Sequence, residues 1–433
     1  MAPGHGTPSG FSGQALLHDA PLPIREQVWV SLGFLNQLGV DVHGNSTSDY
    51  LSLSVGNQHT LIPASSVKWS SRGWEVPLYL VEPFLGNSLN LDGQRYWLPD
   101  HRVSNRSPLN FREEKIRTAA GQTTVLSLKI FQFNQHYQLT TLLPSNGIGS
   151  LSPLSDMAVQ NGVVAAINAN FFDPQSEFPI GLLLDNSRLE YEDHASRGAF
   201  GVDLFGNLHF LHLDAKAYVQ IDGEGVFLNG VNRPAKANEL VAITPAYGGN
   251  VRLSKLATIV QVRRGIIQSI YKASVVVADK DSVFLIATGQ RQKEIADLKT
   301  GDALTLKNAL NPETQWPLRM AVGGGPMLLK HGQVVLDPAR ESFSQTFAKG
   351  RAARSAIGVT QDGTLILMIS IRNKSSSGMT FAELARWFQM QGAIHALAFD
   401  GGGSASLSFR TGIHWRHLGG TRGIAVGLGL LPK

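Results

Sequence analysis

The sequence predicts an α+β protein: a mixed-sheet domain with two related lobes over residues 115–433, preceded by a small α+β repeat domain over 24–103. Three observations carry this. Much of the chain reads as short segments alternating apolar and polar residues, such as YLSLSV (50–55) and TTVLSLKIF (123–131), the period of a half-buried strand. Two stretches recur in the same order: IGLLLDNSRL (180–189) and RGAFGVDLFGNLHF (197–210) are answered by GPMLLKHGQV (325–334) and RSAIGVTQDGTLIL (354–367). One helix stands out, GMTFAELARWFQMQG (378–392). Its Thr380 and Glu383 are spaced as a capping box, Phe381, Leu384, Trp387 and Phe388 share a face, and Gly392 stops it.

Along the chain, residues 1–23 read as a flexible leader. MAPGHGTPSGFSGQ has no charged stretch followed by an apolar one, so no signal peptide is expected in this chain. Within 24–103, VSLGFLNQLGVDV (30–42) is echoed by VPLYLVEPFLGNSL (76–89), each read as an extended start, a helix and a glycine stop, with strands at YLSLSV and RYWLPD around them. This unit resembles the repeat domain at the N-terminus of copper amine oxidases and of many bacterial cell-surface proteins. The resemblance implies a stalk or wall-associated module that binds no copper, and His43 and His59 stand alone. A polar connector, 104–114, leads into the larger domain. There, 211–320 carry strand patterns (VVVADKDSVFLIATG, DALTLKNAL) and few helical ones, and AIHALAF (393–399), apolar on both faces, reads as a buried strand.

Composition narrows the classes. Of 433 residues, 43% are apolar and 16% charged, with no apolar run long enough to predict a membrane-spanning helix. The absence of cysteine removes disulfides, thiolate nucleophiles and cysteine-ligated metals. A formal charge of +5 favours anionic partners, but no basic run or nucleic-acid motif appears, so no nucleic-acid partner is expected. His414 and His417 are three apart with no third ligand evident, so no metal site is predicted. No cofactor requirement is visible, and a divalent-metal requirement stays open.

Four stretches could carry chemistry. FDGGGSASLSF (399–409) places Asp400 at the end of the buried strand, before Gly401, Gly402 and Ser404. It reads either as a hairpin turn or as a carboxylate aimed out of the sheet beside backbone that a ligand can approach. INANFFDP (167–174) ends another buried strand with Asn168 and Asn170. Their amides suit sugar hydroxyls or phosphate oxygens and Phe171 suits stacking, or the segment is a capped turn with core phenylalanines. Arg351 and Arg354 offer forks for phosphate or carboxylate, or simply ion pairs. AVGGGPMLL (321–329) bends at Gly324 and Gly325, a candidate wall for a ligand.

In order, NANFF, GGGPML, RSAIGV, GMTFAELA, FDGGGSASL and RGIAVGLGLL resemble the phosphodiester glycosidase family over roughly 115–433. Asn170 stands where the family usually has glycine, and Ala398 where asparagine is frequent. The resemblance implies a hydrolase that cleaves the glycosidic bond of a sugar-1-phosphodiester, in an exopolysaccharide or cell-wall setting, at the cell envelope or outside the cell. It places Asn168, Arg354, Asp400, Gly401, Gly402 and Ser404 at the active site. The chemistry of a departing phosphate then suggests Arg354, alone or with Arg351, on the phosphate and Asp400 at the anomeric carbon, as base for water or as electrostatic partner of an oxocarbenium-like state. A second carboxylate could be Asp173, Glu177 or Asp203. The alternative expectation is a non-enzymatic glycan-binding surface protein.

Overall fold

The computed structural model describes residues 108–433, apart from 193–196, 222–223, 312–316 and 413, together with short stretches between 29 and 97. The chain divides into two compact units, Met1–Asn105 and Arg106–Lys433.

In the first unit the described residues form short antiparallel strands. Trp29–Ser31 and Lys68–Ser70 flank Gly73–Pro77, and Tyr50–Val55 lies between Asp41–His43 and Gln58–Pro63. Leu35, Leu53, Ile62 and Val76 are buried. YLSLSV is a strand as expected, and Arg95–Trp97 pairs with Asn90–Asp92. The expected helix at 78–89 lies outside the described residues.

The second unit is mainly β, which corrects the balance of the α+β expectation. Its physical origin lies in 211–320, where long hairpins such as Asn250–Arg263 with Ile266–Val277 have the period of two and no helical stripe. The first strand, Leu109–Thr118, begins inside the stretch read as a connector.

A seven-stranded sheet runs Gln333–Val334, Met327–Lys330, Ala393–Phe399, Arg354–Thr360, Leu365–Ser370, Gly121–Ile130, Leu109–Thr118. A five-stranded sheet runs Arg188–Tyr191, Leu183–Asp185, Leu318–Gly323, Gly198–Asp203, Leu208–His212. The first five strands of the larger sheet follow the order of the smaller one: a hairpin, a central strand from elsewhere in the chain, then a second hairpin; Gly121–Ile130 with Leu109–Thr118 adds a third hairpin to the larger sheet. The echoed motifs supply those second hairpins, Gly198–Asp203 with Leu208–His212 and Arg354–Thr360 with Leu365–Ser370. A further five-stranded sheet contains Tyr137–Leu142, Gly427–Pro432, Ala165–Asn168, Ser406–Thr411 and His414–Gly419.

The strand Ala393–Phe399 is covered on both faces, which explains its continuous apolar run. Leu397 and Phe399 join the main core with Ile167, Phe200, Val322 and Leu407. Ala396 and Ala398 face the other way, where their small side chains admit Phe381, Leu384, Trp387 and Phe388 of the helix Phe381–Met390. Each of those large side chains contributes about 1.5–3 kcal/mol by burial. The helix starts with the predicted capping box: Thr380 Oγ1 accepts from the Glu383 amide at 3.2 Å, and Glu383 Oε2 accepts from the Thr380 amide at 2.9 Å. A rigid helix-on-sheet layer therefore fixes the strand from which Asp400 emerges.

Candidate active site

Asp400 leaves its strand at a junction of two sheets. Its N–H donates to the Ala169 carbonyl at 3.0 Å, and its carbonyl accepts from Asn168 Nδ2 at 2.7 Å. Asn168 is fully buried at the end of Ala165–Asn168, and its Oδ1 accepts from the Ser406 N–H at 3.0 Å. One amide side chain thus joins the strand before the Asp400 turn to the strand after it. The sequence expectation brings Asn168 to the right place, but both ends of its amide hold backbone.

The turn itself needs glycine at two points. Gly402 has φ +60° and donates its N–H to the Ala353 carbonyl at 2.9 Å, tying the turn to the residue before Arg354. A Cβ on Gly401 would stand 2.6 Å from that same carbonyl oxygen. The Gly401 N–H instead donates to Asp400 Oδ1 at 2.9 Å, which sets the direction of the carboxyl.

Burial pushes the Asp400 carboxyl up to about 6, against the opposing pull of the Ser404 hydroxyl, the Gly401 amide and the Arg422 and Arg197 guanidinium groups. Ser404 Oγ is fully buried and lies close to the carboxyl without forming a well-aligned hydrogen bond. A carboxyl held at that value changes protonation within the working range of a general base.

A stack of phenylalanines lies between two arginines. Arg197 Cζ sits 4.4 Å from the Phe343 ring centre and 5.4 Å from Phe171. Phe343 and Phe347 stack at 5.5 Å, and Arg354 Cζ lies 5.6 Å from Phe347 and 3.8 Å from Phe381 at the other end. A cavity of about 450 Å³, lined by Leu336, Pro338, Phe343, Lys349 and Thr380 among others, shares Phe343 with this stack, but neither Asp400 nor Arg422 lines it.

Arg354 differs from expectation. It is 2% exposed, its Nε donates to the Met379 carbonyl at 3.0 Å and its Nη2 to the Gly350 carbonyl at 2.6 Å. Burial lowers its pKa to about 10, so it remains a cation at neutral pH. Its fork is largely engaged by backbone. Arg351 is not in the site: Nη2 pairs with Glu383 Oε1 at 2.6 Å and Nη1 donates to the Gly378 carbonyl at 2.8 Å, bracing the start of the helix.

The other expected residues divide similarly. Phe171 takes part in the aromatic stack. Asn170 holds the following turn, donating to the Ile180 and Leu182 carbonyls at 3.2 and 3.0 Å. The Gly324 and Gly325 amides donate to the Gly198 and Ala398 carbonyls at 2.8 Å each, so this bend joins two sheets and offers no free N–H at those residues. Of the proposed second carboxylates, Asp173 is exposed and its pKa is lowered by hydrogen bonds from the Ser176 and Gln175 amides and the Ser176 hydroxyl. Asp203 is fully buried and accepts from the Phe205 and Asn207 amides, Asn207 Nδ2 and His209 Nε2. Both hold their own turns. Glu177 adopts φ +62° in the loop after Phe172. Among the described residues no group of three or more His, Asp or Glu side chains is placed to hold a metal ion.

Sequence reasoning missed Arg197 and Arg422. Arg197 had a signal, because it opens the motif whose second copy opens with Arg354. Arg422 had only its place at the head of RGIAVGLGLL.

Residues 257–431 match the family model described as phosphodiester glycosidase, which bears out the resemblance read from the motifs. That description is of a hydrolase. No curated protein matches the sequence. Among solved structures, a hypothetical protein from Synechocystis matches with TM-score 0.62 and 18% identity over 92% of each chain. A putative exported protein from Burkholderia pseudomallei K96243 matches with TM-score 0.55 and 19% identity, over 72% of this chain and 74% of that one. At these identities the likeness establishes the fold. The zebrafish N-acetylglucosamine-1-phosphodiester alpha-N-acetylglucosaminidase catalytic domain, auto-inhibited by its pro-peptide, aligns with TM-score 0.43 and 13% identity over 76% of this chain and 85% of that one.

Proposed function

We propose that the protein hydrolyses the glycosidic bond of a sugar-1-phosphodiester, with Asp400 at the anomeric centre. The observation that carries this reading is a half-buried carboxyl at a strand end, its pKa raised to about 6 by desolvation against the pull of the Arg422 and Arg197 guanidinium groups. The family match supports the reaction class.

In the proposed step a water oxygen bonds to C1 of the sugar and its proton passes to the Asp400 carboxylate. The C1–O bond breaks, and its electron pair leaves with the phosphate oxygen. A departing phosphate needs little proton assistance, whereas its growing negative charge is stabilised by nearby cations. Asn168 acts as a positioning residue by holding the Asp400 carbonyl. Arg354 keeps the aromatic layer and the Gly350 and Met379 backbone in place, in place of the direct phosphate role first expected of it.

The two related lobes remain part of this proposal, supported by the matching order of five strands and by Arg197 and Arg354 standing at the starts of their hairpins. So does an exopolysaccharide or cell-wall substrate, met at the envelope or outside the cell. No helix among the described residues is long and apolar enough to cross a membrane. The test is incubation of the purified chain with a panel of sugar-1-phosphodiesters, following free reducing sugar. Turnover supports the reading. Glycan binding without turnover, unchanged in Asp400→Asn, favours a lectin-like surface protein instead.

A further inference from the structure

We propose that Arg422, together with the Gly403 N–H, forms the seat for the leaving phosphate. Arg422 is exposed, and among the described residues it makes no hydrogen bond or ion pair, whereas Arg354 is buried on backbone carbonyls. Its backbone is nevertheless pinned on both sides. The Gly420 N–H donates to the Ala405 carbonyl at 2.7 Å, and Ile424 exchanges backbone hydrogen bonds with Ser152 at 2.9 and 3.2 Å. The guanidinium lies over the Asp400 turn: a Cβ on Gly403 would stand 3.3 Å from Arg422 Nε and 3.4 Å from Cζ. The Gly403 N–H is itself unbonded among the described residues, on the exposed side of the same turn. A planar fork with an adjacent free backbone N–H, in the turn that begins at the half-buried Asp400, suits a phosphodiester oxygen pair.

This inference rests on the glycosidase reading and assigns one part of it. As the C1–O bond breaks, the phosphate becomes a dianion. A fork already in place next to it stabilises that charge without reorganisation. A Cβ at Gly403 would crowd the guanidinium at 3.3 Å and shift it by a few tenths of an ångström.

Two measurements test it with the full chain. Calorimetric titration with inorganic phosphate is expected to show binding that Arg422→Ala weakens at least about tenfold, since one fork carries most of the charge contact. Equal binding by the wild type and Arg422→Ala, or no binding by either, overturns the seat. In turnover, Arg422→Ala is expected to lose about 10²–10³-fold in kcat/KM on the phosphodiester. That loss should be at least about thirtyfold greater than the loss on the nitrophenyl glycoside of the same sugar, with Lys restoring part of it. Equal losses on both substrates overturn the proposal. A wild type that binds phosphate through Arg422 but hydrolyses neither substrate would instead contradict the glycosidase reading and leave the seat standing. Gly403→Ala, which moves the fork without removing it, is expected to raise KM for the phosphodiester.

Discussion

Replacing Asp400 with asparagine should cut activity at least about a hundredfold and stabilise the protein. The carboxyl stands at about 6 against an ordinary 3.8, because burial penalises its charged form more than Arg422, Arg197 and the Gly401 amide favour it. That rise is about two pH units, and at 1.36 kcal/mol for each it amounts to about 3 kcal/mol. The folded protein holds the Asp400 proton more tightly than the unfolded chain does. Its stability contribution is therefore highest below about pH 4 and is lost as pH rises through about 6. Asparagine resembles the protonated form and keeps an oxygen for the Gly401 N–H. At pH 7.5 Asp400→Asn should be more stable than wild type by up to about 3 kcal/mol, and the difference should shrink towards zero near pH 4. Denaturant melts of both proteins at the two pH values measure this. In the same variant kcat should fall at least about a hundredfold, the scale of a lost general base. Wild-type kcat/KM should rise with pH to a half-maximum near 6. A variant that is less stable than wild type at pH 7.5, or whose stability difference ignores pH, would refute the burial argument.

Asn168→Ala should destabilise by about 2–5 kcal/mol, because it leaves the half-buried Asp400 carbonyl and the buried Ser406 N–H without Asn168 as partner; thermal melts measure it. The fraction that remains folded should also show reduced kcat, since the Asp400 backbone loses its tether. Gly401→Ala should fold but lose activity by an order of magnitude or more in a kcat measurement. Its Cβ would meet the Ala353 oxygen at 2.6 Å and must displace the turn that aims the carboxyl.

What was legible in the sequence was what a few adjacent residues decide. Thr380 and Glu383 specify a helix start among themselves, and AIHALAF followed by aspartate and glycines already describes a buried strand with a carboxylate at its exit. The fate of each arginine was not legible, because it depends on partners distant in sequence. Arg351 meets Glu383, Arg354 meets Phe347, Phe381 and the Met379 carbonyl, and Arg422 reaches Gly403 only through the pairing of the last strands. Glycine clusters 323–325 and 401–403 look alike as sequence. They differ in the structure: the N–H groups of the first all meet carbonyls of neighbouring strands, at Leu182, Gly198 and Ala398, while the second leaves Gly403 unbonded among the described residues. The mainly β character of 211–320 was visible as strand pattern, but its weight in the whole required the sheets to be seen.

The central claim is that the C1–O bond breaks and the phosphorus centre is untouched. Hydrolysis of a sugar-1-phosphodiester in ¹⁸O-labelled water, with both products weighed by mass spectrometry, tests it most directly. The heavy oxygen is predicted on C1 of the released sugar, with the phosphomonoester unlabelled. Label in the phosphate instead would mean attack at phosphorus and would contradict the role given to Asp400.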